Sequence, residues 1–184
     1  KLKKMMAENP GQQYYSAEGF FDPPTTKLDE FFQGAPYKTY SFGTQIALVE
    51  VDEETGIIEI KKIIAVHDVG RAINPHGVAG QIEGGCAMGI GQGLLEAITV
   101  QDGIVEQRSL SEYLLPTVQD VPPIAVYLIE MEEETGPFGA KGIGECASIP
   151  IVAAIANGVA IATGYRCFSL PISSEFIIEP NIRR

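Results

Sequence analysis

The chain has 184 residues, with 13 basic against 24 acidic side chains for a net charge of −11. That length is enough for a domain with its own core, and the acidic balance argues against a phosphate-backbone partner such as nucleic acid. Three widely spaced cysteines, Cys86, Cys146 and Cys167, contain no C-x-x-C pair. They form neither a disulfide framework nor a zinc or iron–sulfur motif, and they point to a reducing, cytoplasmic compartment.

The start, Lys1–Pro10, is basic but lacks the apolar stretch of a signal peptide, and it reads as the last turns of a helix that begins before this chain. Residues 10–37 are rich in Pro, Gly and aromatics without a period, which suits an irregular segment packed over something larger. Residues 1–37 are therefore an irregular lead-in, and residues 38–184 the folded domain.

Tyr37–Val51 and Ile57–His67 read as a hairpin about the Asp52–Gly56 turn. His67 and Asp68 close it. As neighbours on a strand they point to opposite faces, so a structural histidine is the commoner explanation than an acid–base pair. Gly70 and Asn74-Pro75 then mark a bend.

Gly77–Glu96 has a helical drift of apolar residues but seven glycines. Each interior glycine costs a helix about 0.8–1 kcal/mol against alanine. Glycine here makes room, either for tight packing or for a ligand against Gly80 and Gly84. Gln81 and Glu83 are expected in the first turn, where N–H groups lack partners, and the Gln81 amide can both donate and accept.

A second hairpin is expected at Ala97–Val100 and Ile104–Gln107 about Gln101-Asp-Gly103, and another strand at Ile124–Met131. The acids Glu130 and Glu132–Glu134 suit a solvated loop. Ile149–Thr163 is apolar on nearly every side and reads as a buried helix, with Ser148 as N-cap, Pro150 in the first turn and Gly164 as stop. It is too short to span a bilayer and carries Asn157, so no membrane role is expected. Glu175–Glu179 reads as a last strand or arm. Strand runs and helical runs without regular βαβ alternation predict an α+β fold, in which antiparallel hairpins pack with a glycine-rich helix and a buried apolar helix.

Between the last predicted strand and that helix lies Gly136-Pro-Phe-Gly-Ala-Lys-Gly-Ile-Gly-Glu-Cys-Ala147. Its glycines permit sharp bends and close approach, and it holds two charges, Lys141 and Glu145. A carboxylate on such a bend suits catalysis, although by spacing alone an ordinary solvated Glu145 is commoner. Gly142-Ile-Gly144-Glu-Cys-Ala147 also fits the nucleotide pattern G-x-G-x-x-A. No strand runs into Gly142, however, and no acidic residue follows in Ile149–Thr163, so a nicotinamide-binding domain is poorly supported.

Asp68-Val-Gly-Arg-Ala-Ile-Asn-Pro75, Gly80-Gln-Ile-Glu-Gly-Gly85 and Gly136–Glu145, in that order, resemble the C-terminal part of the molybdenum-binding portion of the xanthine dehydrogenase and aldehyde oxidoreductase family, from about residue 20 onward. The resemblance implies a part of a larger molybdenum-binding domain, in an enzyme that hydroxylates an activated carbon of a heterocycle or aldehyde with oxygen from water. It implies Glu145 as the general base, and Gln81, Gly144 and Glu145 at a molybdenum–pterin cofactor (molybdopterin or its dinucleotide form) whose metal takes no protein side-chain ligand. It further implies as partners the upstream part of the molybdenum-binding subunit, and iron–sulfur and flavin groups on other chains or domains. The chain is shorter than such a portion, so the competing expectation is a catalytically silent fragment that keeps the fold only.

Overall fold

The computed structural model describes residues 2–11 and 14–179. The chain divides into two units, Lys1–Lys38 and Thr39–Arg184. The first contains α1 (Leu2–Glu8) and then a segment without regular structure, in which the Asp29 carboxylate accepts the Phe31 and Gln33 N–H groups, each at 2.9 Å. Its aromatics are not buried: Phe20 is 93% exposed, and Tyr14, Phe31 and Phe32 are also open.

The second unit is built on β1 (Gly43–Val51), β2 (Ile58–Asp68) and β5 (Ile124–Ile129), in the order β1-β2-β5. β1 and β2 form the expected antiparallel hairpin. Its turn is sealed by Asp52, whose carboxylate accepts from the Glu54 and Thr55 N–H groups at 2.9 and 3.2 Å, and by Gly56 at φ 74°. The ladder begins at Gly43 rather than Tyr37. Among the preceding residues, the Phe42 carbonyl still accepts the Asp68 N–H at 2.8 Å.

The register shifts between Leu48 and Val49, which pair with Lys62 and Ile60, leaving Lys61 as the extra residue. That bulge changes which parity faces inward, so Ile60 and Ile63 both reach the core. β5 pairs parallel to β2, with Ile63 opposite Ile124 and His67 opposite Leu128. The crossover between them holds α2 (Pro75–Leu94) and a small antiparallel hairpin, β3 (Val100–Gln101) and β4 (Ile104–Val105). Asp102 (φ 51°) and Gly103 (φ 78°) make the tight left-handed turn of that hairpin.

α2 and α3 (Ser148–Thr163) pack together on the inward side of the sheet, α3 chiefly against β1. The core joins Ile60, Ile63 and Ala65 of β2 to Ile82, Cys86 and Ile90 of α2 and to Ile151, Ile155 and Val159 of α3. This is the expected α+β architecture.

The glycines of α2 divide by face. A Cβ on Gly85 would stand 2.8 Å from the Ala147 Cβ, and one on Gly89 would collide with Ile151. A Cβ on Gly80 or Gly84 would meet nothing within 4 Å. One glycine ridge therefore seats α3, and the other pair leaves an open face.

Three expectations need correction. α3 buries only the stripe Ile151, Ile155 and Val159, because the sheet and α2 cover one side; Ile149 and Ile161 are 75% and 85% exposed. Ser148 is the first helical residue rather than the N-cap, and its hydroxyl donates back to the Glu145 carbonyl at 2.8 Å. Glu175–Glu179 is not a strand: α4 (Ser174–Ile178) forms there, with the Ser173 hydroxyl accepting the Phe176 N–H at 3.4 Å. Pro150 and the left-handed Gly164 (φ 77°) stand where they were expected. Among the described residues no helix is long and apolar enough to cross a membrane.

Candidate active site

The glycine-rich segment 136–147 is fastened along the end of β2. It opens with a single 3-10 turn, Pro137–Gly139, in which Phe138 (φ 57°) and Gly139 (φ 82°) are both left-handed. The Gly139 carbonyl accepts from Arg71 N–H at 2.7 Å and Glu133 N–H at 3.1 Å, and Lys141 N–H donates to the Val69 carbonyl at 2.9 Å. Gly70, at φ 60°, bridges Ala140. A side chain on Gly70 would strike the Gly139 carbonyl, so this contact needs glycine twice over.

The acids before the segment do more than face solvent. Glu130 accepts the Ala72 N–H at 2.8 Å, and Glu133 accepts both the N–H and the hydroxyl of Thr135, at 3.1 and 2.7 Å.

Lys141 and Asp68 form a buried ion pair of 2.6 Å, with side chains only 8% and 7% exposed. The ammonium also donates to the Tyr40 carbonyl at 3.2 Å and lies 5.3 Å from the Phe42 ring centre. Asp68 accepts the Gly70 N–H at 3.0 Å with its other oxygen. Burial works to raise the Asp68 pKa, but Lys141 and Gly70 together outweigh it and hold the carboxyl below its ordinary value.

On the opposite face His67 is fully buried beside Gln45. The Gln45 Nε2 lies 2.9 Å from His67 Nε2 and donates to the Ala147 carbonyl at 2.8 Å. With its other proton on Ala147, the amide donates to His67 Nε2, so the ring is neutral and protonated at Nδ1. Burial pushes the His67 pKa down, in the same sense. Gly43 stands across from His67, and a Cβ there would run into the ring. Gln45 Oε1 is buried without a hydrogen-bond partner among the described residues.

His67 and Asp68 are thus structural, as the alternation of a strand suggested, and both act on the same segment. Sequence reasoning missed Gln45. Its one signal was a lone amide among apolar residues in Gly43–Val51, but Ile46, Leu48, Ala47 and Val49 are apolar on both parities and hide which face is inward.

A cavity of about 260 Å³ opens between α2 and this segment, lined among others by Val69, Arg71, Asn74, Gln81, Lys141 and Ile143. Gln81 lies in the second helical turn rather than the first, because α2 begins at Pro75 with Asn74 capping the Gly77 N–H at 3.0 Å. Its backbone N–H is therefore not an orphan, and what Gln81 offers is its exposed side-chain amide, which makes no hydrogen bond among the described residues. Gly144 and Glu145 follow Ile143, are exposed and lie outside the cavity lining. A Cβ on Gly142 or Gly144 would meet nothing within 4 Å.

The cavity therefore offers the Gln81 amide to a polar group with donors and acceptors, and bare glycine backbone stands at Gly80 and Gly84 on α2 and at Gly142 and Gly144 on the segment. A second, larger cavity of about 660 Å³ lies by Ile60, Leu94, Asp120, Pro122 and Ile172. None of the residues singled out above as a site residue lines it. Among the described residues no cluster of three or more His, Cys, Asp or Glu side chains could hold a metal ion.

The comparison with known proteins identifies the class of domain. Residues 2–122 match the molybdopterin cofactor-binding domain, and the chain belongs to that family, within the xanthine dehydrogenase and aldehyde oxidoreductase group. A probable xanthine dehydrogenase component from Bacillus subtilis is 38% identical over 164 residues, 88% of this chain and 21% of the relative. The xanthine dehydrogenase molybdenum-binding subunit of Escherichia coli O157:H7 is 35% identical over 141 residues, 76% of this chain and 19% of the relative. The aldehyde oxidoreductase of Desulfovibrio desulfuricans superposes with a TM-score of 0.78 at 33% identity, over 85% of this chain and 17% of that one. The chain spans about a fifth of the length of the curated relatives it matches. The family match holds Gln81 but ends before Gly144 and Glu145.

Proposed function

We propose that the chain is the part of a molybdenum hydroxylase that contributes the general base, Glu145. The molybdenum–pterin cofactor of the family would lie against the side-chain amide of Gln81 and the bare backbone at Gly144. When bound, that group supplies two-electron oxidation chemistry, in which an activated carbon of a heterocycle or aldehyde is hydroxylated with oxygen from water. The Glu145 carboxylate takes up the proton that the water-derived hydroxyl gives up. Gln81 orients the cofactor edge through paired donation and acceptance, and the glycines of the segment let the backbone approach. Substrate contacts and electron transfer need the rest of the molybdenum-binding subunit and iron–sulfur and flavin partners. Three free thiols are the reason for placing the assembly in the reducing cytoplasm.

The observation that carries the reading is the setting of Glu145. It is exposed on a segment whose backbone is fixed on both sides, while its own carboxylate makes no hydrogen bond among the described residues. That setting leaves the carboxylate free to take up a proton while its backbone stays in place.

Glu145→Gln in the assembled, molybdenum-loaded enzyme tests it. The amide keeps the shape but cannot accept the proton, so turnover should fall by about 10²–10⁴-fold at unchanged molybdenum content. Turnover within a few-fold of the parent would reject the base.

A further inference from the structure

Lys141 stands four residues before Glu145 and Ala147 two after it; Asp68 of β2 holds the first and Gln45 of β1 the second, from opposite faces of the sheet. The geometry points to Gln45, backed by His67, and to the Asp68–Lys141 pair as positioning residues that clamp Glu145 from both sides.

A general base works only where its oxygen meets the proton. A misplacement of about 1 Å can cost roughly 10²-fold, and a site on a loop needs support from residues that are themselves locked. Segment 136–147 is soft by composition, since Gly139, Gly142 and Gly144 flank the charged residues. Its stiffness has to come from outside. Asp68 supplies it at Lys141, where one carboxylate receives the ammonium and the Gly70 N–H, and where Val69 holds the Lys141 N–H. Gln45 supplies it at Ala147, and Ser148 adds two donors to the Glu145 carbonyl, at 3.1 Å from its N–H and 2.8 Å from its hydroxyl.

Core packing does not account for these choices. An apolar side chain at position 45 would match its inward neighbours Ala47 and Val49, whereas Gln45 leaves a buried Oε1 without a partner among the described residues. The histidine behind it demands glycine at position 43. What these residues achieve together is one hydrogen bond on the Ala147 carbonyl, from an amide that the neutral ring holds in orientation.

This inference rests on Glu145 as the base, and the test separates the two. In the assembled, molybdenum-loaded enzyme, Gln45→Met should lower kcat by about tenfold or more with KM within about twofold. Molybdenum content should be unchanged, and hydrogen exchange at the Cys146 to Ser148 amides should rise. In a Glu145→Gln background the same substitution should cost nothing further, because both act through one carboxylate.

Unchanged kcat and exchange in Gln45→Met would overturn the clamp. So would loss of molybdenum, which would make Gln45 part of the cofactor's support instead. If Glu145→Gln keeps its turnover the base assignment falls, and exchange alone then decides the clamp: unchanged protection overturns it. Should Gln45→Met fail to assemble, Asp68→Leu with Lys141→Met carries the same test without stranding a buried charge, read as lower kcat and faster exchange over residues 141–145.

Discussion

Buried at the end of β2, His67 keeps its place only while neutral, because a proton on Nε2 would face the donating amide of Gln45. Its folded pKa is depressed by burial below the ordinary 6.5. The unfolded chain therefore binds the proton first as pH falls. The stability owed to the neutral ring is complete above pH 6.5 and is lost as pH drops from there through the lower folded value. Thermal unfolding from about pH 8 to about pH 5 should show a falling midpoint, with a smaller fall in His67→Gln, which still offers an acceptor to Gln45 but has no ring to titrate. An equal fall in both proteins would assign the pH dependence to other groups. Cys86, buried between α2 and α3, has its thiol pushed up to about 11 by burial, with a smaller push from Glu83, so it stays protonated across that range and does not compete.

At the scale of elements, α2 sets helix propensity against helix packing. Gly89 faces Ile151, whose branched methyl cannot swing clear, so Gly89→Ala should destabilise the chain by roughly 1–3 kcal/mol despite better helix propensity. Gly80 faces open space, so Gly80→Ala should stabilise it by about 0.8–1 kcal/mol. Denaturant unfolding of the two variants should give shifts of opposite sign. Equal shifts would mean that the two faces of α2 are not distinct. The 136–147 segment divides similarly: Gly139 is held in a left-handed turn, while a Cβ on Gly142 or Gly144 would point into open space.

For the whole molecule, the outward side of the sheet carries Ile46, Leu48, Tyr127 and Ile129, all exposed. The outer side of α3 adds Ile149 and Ile161. Faces this apolar are normally covered, and in relatives about five times as long there is chain to cover them. The purified 184-residue chain should therefore self-associate, bind a hydrophobic dye and hold no molybdenum, as read by sedimentation, fluorescence and metal analysis. A well-behaved monomer with stoichiometric molybdenum would show that the chain needs no partner to build the cofactor site.

Local rules, read from the sequence by itself, determined the elements whose signals lie within a few residues. The Asp52–Gly56 turn, the Asp102-Gly103 turn and the end of α3 at Gly164 follow from side-chain and backbone preferences that need no distant partner. The glycine spacing and the three ordered blocks likewise carried the family. Tertiary structure alone decided whatever depends on residues far apart in the chain. Lys141 meets Asp68 across 73 positions and Gln45 meets Ala147 across 102, and neither spacing leaves a periodic trace. The parallel pairing of β5 with β2 and the inward parity of β1 were hidden for a related reason: apolar residues on both faces erase the alternation that would show which side is buried. The two roles of the α2 glycines were also beyond local reading, because glycine has no side chain to report whether its neighbour is a helix or open space. Only the position of α3 separates them.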